Sequence, residues 1–179
     1  MILEAIRHRG LVLGRGISYL LCVAEPQVSQ SGIVNVSCGE RVRIVQPVNL
    51  YGCTLGDDCF VGPFVEIQND VVIGPRTRVQ SHVFICELVT IGGDCFISHG
   101  AMFINDRMSN GKPAFGERAT WGRTVLGDRV VVGTNATILP VSICADVMIG
   151  AGAVVTADIA KPGIYAGNPA RWLRSCGGQ

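Results

Sequence analysis

The chain has 179 residues, about one domain by length, with 48% hydrophobic, 16% charged and 6% aromatic side chains. That balance excludes intrinsic disorder as the main state, and a formal net charge of +1 excludes the basic field that holds nucleic acid by counterion release. Gly supplies 23 residues, nearly twice the usual share of ~7%, and many tight turns are therefore expected.

Residues 1–32 follow no regular spacing. Ile2, Leu3, Ala5 and Ile6, then Ile17, Leu20 and Leu21, allow short helical pieces, read as an N-terminal cap. The apolar stretch from Leu11 to Ala24 is interrupted by Gly14, Arg15 and Gly16, and it is too short to span a bilayer. No secretory signal is evident. The eight cysteines contain no CxxC pair, which argues against a zinc ribbon or a thioredoxin-like site. The expectation is a cytoplasmic protein with reduced thiols and no membrane contact.

From residue 33 to 160 a period of six governs the chain. Every sixth residue reads Leu55, Val61, Ile67, Ile73, Val79, Ile85, Ile91, Ile97 and Phe103. The register breaks, resumes at Leu126, Val132 and Ile138, slips by one residue to Ile143, and continues through Ile149 and Val155. At this composition an unbroken apolar run over all those positions has a chance probability of roughly 10⁻⁵. The repeat extends back to Val36, Val42 and Val48 with poorer matches. Gly often follows the aliphatic position, where it would accept turn dihedrals at little cost, and four residues after it comes a small or β-branched residue. A period of six fits neither a helix nor a long strand. It fits a short strand and a turn, three of which close a triangular coil of about eighteen residues, with coils stacked in parallel about 4.8 Å apart. The predicted fold is an all-β solenoid, a left-handed parallel β-helix of hexapeptide repeats. Cys59 and Cys95 fall on its inward small-residue row as buried space-fillers.

Residues 105–124, NDRMSNGKPAFGERATWGRT, form an inserted loop that is polar and rich in Gly and Arg. Loops of this length within a compact repeat are often functional. Residues 161–179 leave the solenoid as a tail, with a short final helix expected because Pro162 and Pro169 are poor ladder members.

Stacking converts spacing into columns. Asn69, Glu87 and Asn105 form one that runs into the insertion, through Asp106 and Arg107. A carboxylate between two amides suits capture of an amine or hydroxyl, or else is a ladder that steadies the turns. Pro63, Ser81 and His99 form another column, with His99 expected beside the same loop as a base near neutral pH or as a plain surface side chain. Thr134 and Ala151, flanked by Gly133, Gly150 and Gly152, form a third whose small residues leave a groove for a long, thin ligand.

The tandem repeats, the insertion and the ending IGAGAVVTADIAKPGIYAGNPAR resemble the hexapeptide-repeat acyltransferase superfamily, over residues 36–174. QSHVFICELVTI and ISHGAMFINDR are similar to the branch that N-acetylates amino sugars on nucleotide carriers. The resemblance implies a homotrimer with active sites between solenoids, acetyl-CoA as donor, and a nucleotide sugar as acceptor in surface polysaccharide (lipopolysaccharide) biosynthesis. It implies His99, Asn105 and Glu87 as catalytic residues. It implies Gly133, Thr134, Ala151, Gly152, Lys161, Asn168 and Arg171 along the coenzyme, with Asn69, Asp106, Arg107 and Trp121 on the sugar and nucleotide. The stretch ILPVSIC lacks the Gly residues usual in that family and predicts a distorted coil there. Three other readings stand beside this one. A sugar O-acetyltransferase would need a true base. A trimeric scaffold would need no chemistry. A zinc enzyme on this solenoid would need three His ligands, and the chain offers only His8, His82 and His99, so no metal is expected.

Overall fold

The computed structural model describes Val28 and residues 31–176, and a compact unit begins at Ser31. The cap expected over residues 1–32 falls almost wholly outside the described residues. Beyond it the chain is a parallel β-solenoid of two- and three-residue strands arranged in three faces. Face A carries seven strands, from Ile33–Val34 through Glu66–Ile67, Phe84–Ile85 and Met102–Phe103 to Val154–Val155. Face B carries six, from Ser37–Cys38 to Ser142–Ile143. Face C runs from Arg43–Ile44 to Val147–Ile149 and gains two strands from the tail, Gly163–Ala166 and Arg171–Arg174.

Each strand follows one rule. Val65 and Ile67 are buried with Glu66 between them facing out, and the same alternation gives every coil six inward side chains. The aliphatic positions named above, Leu55 through Phe103 and Leu126 through Val155, are all buried, each contributing about 1.5–3 kcal/mol of transfer free energy. The column Cys59, Thr77, Cys95 does more than fill space. The Cys59 thiol donates to Gly74 O at 3.2 Å, the Thr77 hydroxyl to Gly92 O at 2.8 Å, and the Cys95 thiol to Gly127 O at 3.2 Å. Each thus caps a turn carbonyl in the coil above.

The repeat starts earlier than Val36 and in a different phase. Ile33 pairs with Leu50 and Ser37 with Thr54, so Val36, Val42 and Val48 belong to the small-residue row while Ile44 and Leu50 continue the aliphatic one. The two rows come into phase by a one-residue shortening between Leu50 and Leu55, the counterpart of the slip between Ile138 and Ile143. These two shortenings, the five-residue step from Ile33 to Cys38, the four-residue step from Val155 to Ile159 and the insertion all lie at one corner of the triangle, between faces A and B (the AB corner). The BC and CA corners keep the six-residue step throughout.

The recurring glycines have a different cause from the one expected. Gly56, Gly62, Gly74, Gly92, Gly127 and Gly133 have no positive φ, and a Cβ on any of them would lie 2.5–2.8 Å from the backbone of the next coil. They are there because the coils approach too closely for a side chain. The left-handed positions of the turns are filled by Gly52, Gly100 and Gly152 and otherwise by Asp58, Phe64, Asp70, Arg76, His82, Leu88, Asp94, Arg129, Asn135 and Asp146, with φ of 55–70°.

Those residues stack as well. Along the BC corner they alternate in charge, and Arg41–Asp58, Arg76–Asp94 and Arg129–Asp146 are two-pronged ion pairs with N···O distances of 2.6–2.8 Å. The tail, expected to end in a short helix, is an antiparallel hairpin on face C, Gly163–Ala166 pairing with Val147–Ile149 and with Arg171–Arg174. Pro162 precedes the first of these strands and Pro169 sits in the turn, so neither has to donate to the ladder. The stretch ILPVSIC carries the one-residue shortening between Ile138 and Ile143, yet Ser142 and Ile143 stay in register on face B and Pro140 is buried.

Candidate active site

The sequence-predicted residues fall on two corners. At the AB corner Ile67, Ile85 and Phe103 are stacked partners, which puts Asn69, Glu87 and Asn105 in one column. The Asn105 side-chain amide donates to Glu87 O at 3.4 Å. The insertion opens from this column. Its neck is closed where Gly122 N–H donates to Asn105 O at 2.8 Å, and Gly122 stands on the ring of Pro140 in the next coil. Arg107 donates to Pro140 O. Asp106 accepts from the N–H groups of Met108 and Ala114 at 2.8 and 2.7 Å, so it holds the loop's own shape. The loop wraps a pocket of about 470 Å³ that Asp106, Arg107, Lys112 and Glu117 help to line. Trp121 is half-buried just inside the neck, its N–H on Arg118 O at 3.1 Å.

Arg118 was not singled out from the sequence. It sits on a short 3-10 turn, Arg118–Thr120, and its guanidinium donates to the Glu87 carboxylate at 2.8 Å and also to Asp70. No period governs the insertion, so nothing in the sequence distinguishes Arg118 from Arg107 or Arg123. Tyr51 lies under the same edge; burial first, then the carboxylates of Glu66 and Glu87, push its phenol pKa up.

His99 is on the other corner, a correction to its expected place beside the insertion. The stacking of Ile97 on Val132 and of Val132 on Ile149 puts His99, Thr134 and Ala151 in one column at CA. His99 and Asn105 stand at opposite ends of the Met102–Phe103 strand, six residues and roughly 20 Å apart by strand rise. His99 is exposed, and its Nδ1 lies 2.8 Å from Ser81 Oγ in the coil below. That contact fixes the ring and leaves Nε2 facing solvent. If Nδ1 is the donor, Nε2 carries the free lone pair a base needs. His82, the neighbouring His, is stacked on Phe64 with ring centroids 4.9 Å apart. Among the described residues no three His, Cys, Asp or Glu side chains converge as metal ligands.

Thr134, Ala151 and Gly152 are exposed along the CA corner, a narrow strip without bulky side chains. Gly133 beside them serves the coil stacking, since a Cβ on it would lie 2.5 Å from Ala151 N. The turn of the tail hairpin closes over this strip: Val154 N–H donates to Gly167 O at 3.0 Å and Ala170 N–H to Val154 O at 2.8 Å. Asn168 and Arg171 are therefore at the upper end of the strip. Lys161 starts from the other end of Gly163–Ala166, with its ammonium 4.1 Å from the centre of the Trp172 ring, and does not join them.

Residues 52–87 match the family model described as bacterial transferase hexapeptide (six repeats), and residues 123–157 match the hexapeptide repeat of succinyl-transferase. Two stretches of the solenoid, on either side of the insertion, thus match hexapeptide-repeat family models. It is 27% identical over 158 residues to the bifunctional protein GlmU of Sphingopyxis alaskensis, covering 82% of this chain and 33% of that protein. The chain thus spans about a third of the length of the curated relatives it matches. Among solved structures, an N-acyltransferase from Bacillus cereus, the D94N mutant of AntD with dTDP and coenzyme A, superposes with a TM-score of 0.68. It is 21% identical, with 80% of this chain and 85% of that one covered, and it shares the fold. A hexapeptide-repeat acetyltransferase from Vibrio cholerae O1 biovar eltor, solved with acetyl-CoA, is 26% identical over 69% of this chain and 70% of its own, with a TM-score of 0.58.

Proposed function

We propose that this hexapeptide-repeat protein is an acetyl-CoA-dependent N-acetyltransferase acting on the amino group of a nucleotide-linked amino sugar. The observation that carries the reading is the division of chemistry between two corners. The AB corner offers a carboxylate, Glu87, between the amides of Asn69 and Asn105. The CA corner offers an imidazole, His99, below a bare strip. A second copy of the chain, its CA corner against the first copy's AB corner, would bring the two together. A homotrimer with three such seams satisfies every subunit at once. The solved relatives with coenzyme A or acetyl-CoA bound support the choice of donor.

In this reading Thr134, Ala151 and Gly152 flank the thin arm of the donor, with Asn168 and Arg171 toward its phosphates and Lys161 farther out. Asn69, Asp106, Arg107 and Trp121 face the sugar and its nucleotide. Glu87 and Asn105 hold the acceptor amine. The amine nitrogen forms a bond to the thioester carbonyl carbon, the C–S bond breaks, and the thiolate leaves to be protonated. The proton lost by nitrogen goes to His99 Nε2, whose ring Ser81 holds in place. Correct placement of amine and thioester supplies several kcal/mol by itself. A cytoplasmic role in surface polysaccharide assembly follows from the same reading.

One observation favours a second reading. A Ser81–His99 pair is more than an amine acceptor strictly requires, and a sugar hydroxyl, a far weaker acid than an ammonium, requires such a base. Incubation with acetyl-CoA and a panel of nucleotide-linked amino sugars and their hydroxyl counterparts, read by product mass, separates the two. Acetylation of an amino sugar alone upholds N-transfer, with His99→Asn keeping a measurable rate. Acetylation of hydroxyl acceptors alone, abolished in His99→Ala, overturns it.

A further inference from the structure

The insertion does not stand away from the solenoid. From its neck at Asn105 and Gly122 it turns back over the two coils beneath, about 10 Å along the axis. What holds it there is one side chain. Arg118 reaches Glu87 one coil below Asn105 and Asp70 two coils below. Its own backbone is pinned by a local turn: Thr120 N–H donates to Glu117 O at 3.0 Å and Trp121 N–H to Arg118 O at 3.1 Å.

We propose that Arg118 is a positioning residue of the acceptor site, clamping the insertion over the Asn69–Glu87–Asn105 column and fixing the Glu87 carboxylate. The proposal rests on the reading of that column as the acceptor side. The geometry gives Arg118 two separable tasks. Its Nε takes Glu87 Oε2 and leaves Oε1 to accept from an acceptor amine. Its Nη2 takes Asp70, which is not part of the column and serves only to tie the loop down. The Glu87 side chain is 18% exposed, so the carboxylate is sheltered enough that losing its cation matters more than at the surface pairs of the BC corner. Without Arg118, Glu87 has no guanidinium on it, and the carboxylate would swing toward solvent or toward the Asn105 amide. The acceptor would then still bind but no longer be held in line for attack.

The test compares Arg118→Gln, Arg118→Lys and Asp70→Asn in the full chain, by steady-state kinetics with the acetylated amino sugar and by hydrogen exchange of residues 114–122. Arg118→Gln should lower kcat about tenfold to a hundredfold, the scale of a misplaced reacting group, with KM changed less than threefold. Arg118→Lys, which keeps a cation but lacks the fork, should recover part of kcat. Asp70→Asn should speed exchange of 114–122 with KM also changed less than threefold, while lowering kcat less than Arg118→Gln does. A kcat within twofold of wild type in Arg118→Gln, or unchanged exchange in that variant, overturns the clamp. If the wild type acetylates no amino sugar, the functional reading fails separately, and exchange alone decides: faster exchange in Arg118→Gln upholds the clamp and unchanged exchange overturns it.

Discussion

Thr77 is the one position on the small-residue column where a hydroxyl replaces a thiol, and its replacement tests how the coils are joined. It is fully buried; its Oγ1 donates to Gly92 O at 2.8 Å and accepts from Cys95 N–H at 3.0 Å. Thr77→Val keeps the shape and strands both partners. Each buried group left unpaired costs about 1–3 kcal/mol, so the pair costs about 4 kcal/mol. The added methyl returns ~0.8 kcal/mol, leaving a net loss of about 3 kcal/mol. For a chain of this size that lowers Tm by about 6–12 °C. Thr77→Ser keeps both bonds and deletes one methyl, for about 1 kcal/mol and about 2–4 °C. Thermal unfolding by circular dichroism reads the order of the two variants, and amide exchange at Cys95 reads the bond directly. Cys95 should stay protected in Thr77→Ser and exchange faster in Thr77→Val. A Val variant as stable as the Ser variant, with Cys95 still protected, would refute the idea that this hydroxyl joins the coils.

Three further outcomes follow from the same coils. Asp58, Asp94 and Asp146 are held below the usual carboxylate range, first by the hydrogen bonds from their Arg partners. A lowered folded pKa means stability that is present above the unfolded value of ~3.9 and lost as pH falls through the folded one. The Tm of wild type should therefore drop more steeply below about pH 4 than that of the triple Asp→Asn variant, whereas at pH 7 these exposed pairs contribute little; parallel curves would sink this account. Burial pushes the Cys53 thiol up to about 11 and the Cys86 thiol up to about 12, and raises Cys59 and Cys95, while Cys38 and Cys176 are exposed. Iodoacetamide at pH 8 should modify Cys38 and Cys176 in the native protein and spare the other four until denaturant is added, as peptide mass mapping would read. Gly133→Ala should destabilise or prevent folding, because its Cβ would sit 2.5 Å from Ala151 N, a backbone atom that cannot step aside; a normally folded variant that had merely lost coenzyme binding would show instead that Gly133 serves the ligand.

The fold was legible because a solenoid is quasi-one-dimensional. Each coil contacts only its neighbours, so a local rule, six residues per face, is also the tertiary rule. The six-residue step alone stacks Ile67, Ile85 and Phe103, and Asn69, Glu87 and Asn105 follow them. The Arg41–Asp58, Arg76–Asp94 and Arg129–Asp146 ladder obeys the same spacing and could have been found by reading the turn positions column by column. The phase of the first coils differs from a plain six-residue extrapolation because the step from Leu50 to Leu55 is one residue short, and such a slip exchanges the inward rows.

Where the period stops, spacing says nothing about position. The sequence by itself determined the coils, the inward rows and the place where the insertion leaves. Only the tertiary structure decided where the chain goes between the neck residues, because a loop is placed by a few side-chain contacts at long range rather than by a repeated step. Arg118 meets Asp70 across 48 residues of chain and Glu87 across 31. The tail is a hairpin rather than a helix because face C offered an open strand edge to pair with, a partner no local propensity records. His99 parted from Asn105 for a geometric reason: six residues make one face of a triangle, so side chains that are near in sequence stand on different corners, and residues a full coil apart stand together.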